Sequence, residues 1–232
     1  MHLDDAGNTF GALCMSAQAH AASARALLLE ASLDPSRWEA ALGAFAHACG
    51  ARTGQLIAMD RERELIGHWL ADAPESFMEE IEEFGFTDPG RNPRIRIGLA
   101  APLHTAAADQ DVLDADARRR FPIYAGLYER HDLPFNCQVV LMRDGENFVR
   151  ASVTRTAAQG PLDAAAFRVF ESLIPHLESA VRMQANLHDM TQAAALTTLD
   201  AVGAAAFLLN EAGRVIGLSA AAEAYVAAGA VV

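Results

Sequence analysis

The chain contains no lysine. Its 18 basic side chains are all arginine and stand against 30 acidic ones, for a formal net charge of −12. A phosphate-binding loop of the Walker type is excluded without its lysine. An acidic surface is also repelled by phosphate backbones, whose neutralisation by basic side chains supplies most nucleic-acid affinity. The chain is therefore expected not to bind DNA by itself. Cysteine is scarce: Cys14, Cys49 and Cys137 are odd in number and far apart. That suits neither a disulfide framework nor a zinc cluster and points to a reducing, cytoplasmic setting. Although 52% of residues are hydrophobic, no apolar run approaches the roughly 20 residues that span a bilayer. Asp4 and Asp5 break up the N-terminus, which argues against a secretory signal, so no membrane role is expected.

Catalytic patterns are missing as well. There is no Gly-x-Ser-x-Gly elbow and no Gly-x-Gly-x-x-Gly turn, and none of the eight histidines forms a His-x-x-x-His pair. His131-Asp132 near Cys137 is the best nucleophile-and-base candidate. It competes with a simpler reading, a histidine complementing a helix C-terminus. The glutamates Glu79, Glu80, Glu82 and Glu83 read as a solvated helix face in preference to a cation site. No enzyme activity, metal or particular cofactor is expected; a haem- or flavin-bearing sensor is the intermediate case.

What is present is an ordered set of elements. Residues 1–15 show no periodicity. A helix is expected from Ala17 to Ser32, with Leu27, Leu28 and Leu29 on a broad apolar face. Asp34-Pro35 starts another with Asp as N-cap and Pro at the first position, burying Trp38, Ala41, Leu42, Phe45 and Ala46 and ending near Gly50. Residues 55–59 and 64–70 read as strands around the turn Asp60-Arg61-Glu62-Arg63. Short helices follow from Pro74 (Phe77, Ile81 and Phe84 on one face), from Asn92-Pro93, from Asp114 to Arg119 and from Pro122 to His131. Phe135–Met142 and Asn147–Arg155 read as a hairpin turning at Asp144-Gly145.

A long helix then runs from Asp163 to about Leu199. Phe167, Phe170, Ile174, Leu177 and Val181 form one stripe along it. A protruding helix cannot bury its own seam, so Phe170, Ile174, Leu177 and Val181 are candidates for dimerisation. Pro175 inside this helix is expected to kink it, the alternative being a helix that begins there. Strand, turn and strand follow at 204–209, Asn210-Glu211-Ala212-Gly213 and 214–217, and an alanine-rich tail closes the chain. This order predicts an α+β fold, an antiparallel sheet flanked by helices in a PAS/GAF-like sandwich, with a long C-terminal connector helix. The expected division is 1–160 sensor, 161–199 connector, and 200–232 a truncated second PAS-like segment, the last being the least stable part.

Several stretches resemble LuxR-type bacterial transcriptional regulators. They are Leu33-Asp34-Pro35-Ser36-Arg37-Trp38 with Gly50-Ala51, Asn92-Pro93-Arg94, Phe121-Pro122-Ile123-Tyr124 through His131-Asp132-Leu133, Leu173-Ile174-Pro175-His176-Leu177, and Gly203 to Ala224. Each is short; their order and spacing over about residues 20–230 carry the likeness. The resemblance implies a GAF- or PAS-like sensor, a helical connector and a C-terminal DNA-binding helix-turn-helix. That last part is expected to be missing here: from Asp163 onward there are only three arginines (Arg168, Arg182, Arg214) among seven acidic residues. The expected function is the sensing and dimerising portion of such a regulator, a homodimer that binds a small molecule. The alternative is a dimerisation module without a ligand. Trp69, Tyr124, Tyr128 and Phe135 are the candidate ligand-binding residues, as aromatics on elements expected to face one another.

Overall fold

In the computed structural model, Asp34 and Asn92 start helices by the same device, and those helices cover opposite faces of one sheet. The structure describes residues 5–60, 62–143, 147–209 and 213–229, with side chains from residue 18 onward. The Cys14 side chain and the turn residues Arg61, Asp144-Gly145 and Asn210-Glu211-Ala212 lie outside the described residues. The chain forms two compact units, Met1–Val181 and Arg182–Val232.

In the first unit, helix α1 spans Asp5–Leu33. Its backbone is helical well before the expected start at Ala17. Ala21, Ala24, Leu28 and Ala31 form its buried stripe, whereas Leu29 is exposed. The Asp34 carboxylate accepts the Ser36 N–H at 3.0 Å and opens a 3-10 turn, Pro35–Arg37, which passes into α2, Trp38–Ala48. Strands β1 (Thr53–Met59) and β2 (Leu65–Ala71) form the expected hairpin. Helix α3 (Glu75–Glu80) follows, and then α4 (Pro93–Ala100), whose N-cap Asn92 accepts the Arg94 N–H at 3.0 Å and donates to Phe86 O at 2.6 Å. A short strand β3 (Ala107–Ala108) and helix α5 (Asp109–Val112) had no counterpart in the sequence reading. After α6 (Ala115–Arg119) the expected helix at 122–131 includes a π-helix, Tyr124–Glu129. Strands β4 (Phe135–Arg143) and β5 (Phe148–Arg155) complete an antiparallel sheet of order β2-β1-β5-β4-β3.

The alternation of strand side chains splits the core into two layers. On one face Leu56, Cys137, Val139, Leu141, Ala151 and Val153 pack with α1, α2 and helix α7 (Ala164–Ala201). On the other, Ile57, Met59 and Val140 pack with Phe77, Ile95, Ile97, Tyr124, Leu127 and Tyr128. Helix α2 lies so close to β1 that a Cβ at Gly54 would collide with the Leu42 carbonyl. Gly54→Ala is therefore expected to destabilise by about 2 kcal/mol or more, the cost of forcing packed backbone apart. Urea unfolding checks this; a loss under about 0.5 kcal/mol, the scatter of surface changes, would contradict it.

One expectation about α7 is corrected, and the alternative of a helix beginning at Pro175 falls away, since the helix passes through that residue. Its stripe is not a free seam: Phe170, Ile174, Leu177 and Val181 are buried in the chain's own core, with the Phe170 and Phe45 rings 5.3 Å apart. These four side chains bury against their own sheet, because its apolar face needs a third helix to cover it.

In the second unit, which takes the C-terminal part of α7, strands β6 (Phe207–Leu209) and β7 (Val215–Leu218) pair with each other, and α8 (Ala220–Ala227) follows. Ser219 is buried and its hydroxyl ties the unit together, accepting from Ala206 N and donating to Ala204 O, both at 2.8 Å. Phe207, Leu209, Val215 and Ile216 are exposed.

Candidate functional site

Strand β5 is the middle strand of five and is buried on both faces by the two helical layers, yet its sequence alternates Val149-Ala151-Val153 with Arg150-Ser152-Thr154. The polar set faces the α3, α4 and π-helix layer. Arg150 is 1% exposed and donates to the side-chain oxygens of Gln138 and, at 3.2 Å, Gln55. Both acceptors are neutral amides, and Arg150 Nε has no hydrogen-bond partner among the described residues. Burial pushes its pKa down to about 10, which leaves the guanidinium charged at neutral pH.

Arg94 on α4 is the second buried cation. Its Nε donates to the Asp109 carboxylate at 2.7 Å and its Nη2 to Leu133 O at 2.9 Å. The guanidinium stacks 3.5 Å from the Tyr128 ring centroid and 5.4 Å from that of Tyr124. Burial opposes its charge, but Asp109, Tyr128 and Tyr124 outweigh that and hold its pKa above the usual arginine value. The Tyr124 hydroxyl donates to the same Asp109 oxygen at 3.0 Å, and burial raises the pKa of both tyrosines. The π-helix turn sets the two rings edge to face at 5.3 Å. A π-turn of this kind recurs at functional sites. The Tyr128 hydroxyl stands beside Asn92 without closing a hydrogen bond.

Between the sheet and this helical layer lies a cavity of about 10 Å³, room for one water molecule. Thr53, Gln55, Arg94, Tyr128, Arg150 and Thr154 provide its polar lining; Leu70, Phe77, Phe86 and Leu133 provide the apolar part. Of the four sequence candidates, Tyr128 lines the cavity and Tyr124 supports it through Asp109. Trp69 does not belong: it packs on the opposite face of the sheet, 6.2 Å from Trp38, because adjacent strand residues point to opposite faces. Phe135 is half-buried at the start of β4 beneath the Arg118 guanidinium, away from the cavity.

The nucleophile candidate does not assemble. Cys137 is buried in the other layer, where burial pushes its pKa well above the usual thiol value. His131 Nε2 lies 3.1 Å from Glu80, and the Asp132 carboxylate accepts the Ala157 N–H. Glu80 also pairs with Arg130, which occupies part of the glutamate run.

His68 borders the same layer, stacked on Phe86, with its Nε2 2.9 Å from Gln55 Nε2. Burial, reinforced by Arg150, lowers its pKa from 6.5 to about 4. A base depressed in the folded state stabilises the fold above its unfolded pKa, and loses that contribution as pH falls towards the folded value. Between pH 6.5 and 4, His68 is expected to cost about 2 kcal/mol of stability, discounted for its partial exposure. Urea midpoints at the two ends of that range check this. His68→Gln should flatten the drop, and an unchanged slope in that variant would contradict it.

No protein-family model matches the chain, and no curated protein sequence matches it. Solved structures do. The ligand-binding (LBD) domain of VqsR from Pseudomonas aeruginosa aligns at TM-score 0.52 and 13% identity, over 71% of this chain and 95% of that one. CepR2 from Burkholderia cenocepacia, an N-acylhomoserine-lactone-dependent LuxR-family transcription factor, aligns at 0.54 and 14%, over 74% and 98%. SdiA from Escherichia coli aligns at 0.51 and 12%, over 72% and 68%. The α+β sandwich of this chain has the fold of LuxR-type ligand-binding domains.

Proposed function

We propose that this chain is the signal-sensing, regulatory portion of a LuxR-type transcriptional regulator, binding a small organic molecule between the sheet and the α3, α4 and π-helix layer. The observation that carries the reading is the buried polar cluster around that cavity, on the fold of ligand-binding domains. A core kept only for stability is more cheaply filled with apolar side chains, and a cluster with unmatched donors is the usual mark of a binding site. Catalysis forms no part of the reading, since among the described residues Cys137 lies in the other layer from His131 and Asp132. The absence of lysine and the net charge of −12 leave DNA contact to a separate helix-turn-helix. No helix among the described residues is long and apolar enough to cross a membrane, in keeping with action in the cytoplasm.

Homodimerisation belongs to the same reading, with its contact moved along α7. Met183, Leu187 and Met190 are exposed there at helical spacing, the pattern that pairs helices. Leu187→Glu is expected to convert a dimer to a monomer in sedimentation and to remove the dependence of Tm on protein concentration. A monomeric wild type would contradict this.

One observation favours the alternative, a dimerisation module without ligand: the cavity now has room for a single water. Thermal unfolding against N-acylhomoserine lactones, neutral acyl amides and carboxylic acids separates the readings. The sensor reading expects at least one class to raise Tm; no response to any of them would favour the module.

A further inference from the structure

Among the described residues Arg150 has no carboxylate in hydrogen-bonding contact. The elements packed around it offer Gln55 and Thr53 from β1, Gln138 from β4, Ser152 from its own strand, Tyr124 and Tyr128 from the π-helix, Arg94 from α4 and Asp109 from α5. Asp109 is the only carboxylate in this set, and it is held by Arg94 and Tyr124. Two guanidinium groups therefore share one carboxylate in a water-excluded layer, an arrangement that is costly unless a further anion completes it.

The unmatched groups on the cavity lining share one polarity. Arg150 Nε and the Tyr128 hydroxyl are donors without acceptors, and both residues line the cavity. The unmatched acceptor oxygens, Asp109 Oδ1, Gln110 Oε1 and Asn136 Oδ1, belong to residues that do not line it. Such a site fits a group that accepts hydrogen bonds and donates none, which describes an ionised carboxylate. The remaining lining, Leu70, Phe77, Phe86 and Leu133, is apolar and aromatic. We propose that the ligand is an organic carboxylic acid, its carboxylate held by Arg150 and Tyr128 and its apolar part among Phe77, Phe86 and Leu133. This rests on the sensor reading and narrows it to a ligand class. Room for the apolar part requires Phe77 on α3 and Phe86 on the segment after it to swing outward, since the closed cavity holds only a water. The neighbouring His68 is kept neutral by burial and does not compete for the anion.

The test is thermal unfolding of the whole chain with phenylacetate or hexanoate against phenylacetamide or hexanamide, in buffers with and without added chloride and phosphate. At about tenfold over a millimolar Kd, the acids are expected to raise Tm by about 3–5 °C and the amides by less than about 1 °C. Arg150→Lys should keep the response, because a cation remains; Arg150→Met and Arg150→Gln should lose it. A second readout is the Arg150 Nε–H resonance, identified by its absence in Arg150→Lys, which should shift with acid and not with amide. Equal stabilisation by acid and amide, a response kept by both neutral variants, or stabilisation by chloride and phosphate alone, as from an adventitious ion only, would each overturn the assignment. Stabilisation by neutral compounds alone would overturn the carboxylate and leave the sensor reading standing. No response to any organic compound would remove both.

Discussion

Asp109→Ala is expected to destabilise the first unit by about 3–5 kcal/mol, the cost of breaking a buried ion pair from one side. The substitution removes the carboxylate paired with Arg94, whose side chain is 5% exposed. It leaves Arg94 and Arg150 as two buried cations in one layer and strips the Tyr124 hydroxyl of its acceptor. The direct Coulomb term and the unsatisfied donors act in the same direction. A double variant separates charge from packing: Arg94→Met with Asp109→Leu should recover much of the loss, since apolar replacement of a whole buried pair is often neutral. Urea unfolding of the three proteins measures this. A loss below about 1 kcal/mol for Asp109→Ala, the level of an exposed pair, would mean that the cluster is hydrated and that the cavity is not the dry site described above.

Phe170→Ala is expected to cost about 3–5 kcal/mol and Leu177→Ala about 2–5 kcal/mol, the range for cavities opened in a packed core. Both side chains are fully buried within one chain, Phe170 against Phe45. The loss should therefore not depend on protein concentration. Glu171→Ala on the exposed face of α7 should change stability by less than about 0.5 kcal/mol. Denaturant midpoints at two protein concentrations decide this. A concentration-dependent loss for Leu177→Ala would restore the stripe to an intermolecular seam, the role the sequence pattern suggested.

That stripe shows where sequence reading stops. Period and caps placed α2, α4, both long hairpins and α7, because Asp34-Pro35, Asn92-Pro93 and the strand alternations are local signals. Whether an apolar face meets its own sheet or a second copy is a tertiary question, and Phe170 to Val181 read the same either way. The site was legible only in part. Tyr124 and Tyr128 were found as aromatics, but Trp69 was grouped with them although it follows His68 and precedes Leu70, both of which face the other layer. Counting strand parity across the hairpin would have separated it. Arg150 carried a usable signal, a cation between apolar neighbours in the middle of an alternating strand. Asp109 carried none, since its partner Arg94 is 15 residues away and joined to it only by the fold.

The most direct measurement of the central claim is equilibrium dialysis of the chain against a small-molecule cell extract, followed by mass spectrometry of what the protein retains. The account expects one organic molecule carrying a carboxylate, retained by the wild type and by Trp69→Phe, whose ring lies on the far face of the sheet, and lost from Arg150→Met. Retention of nothing above the buffer control, or of a compound held equally by Arg150→Met, would contradict it.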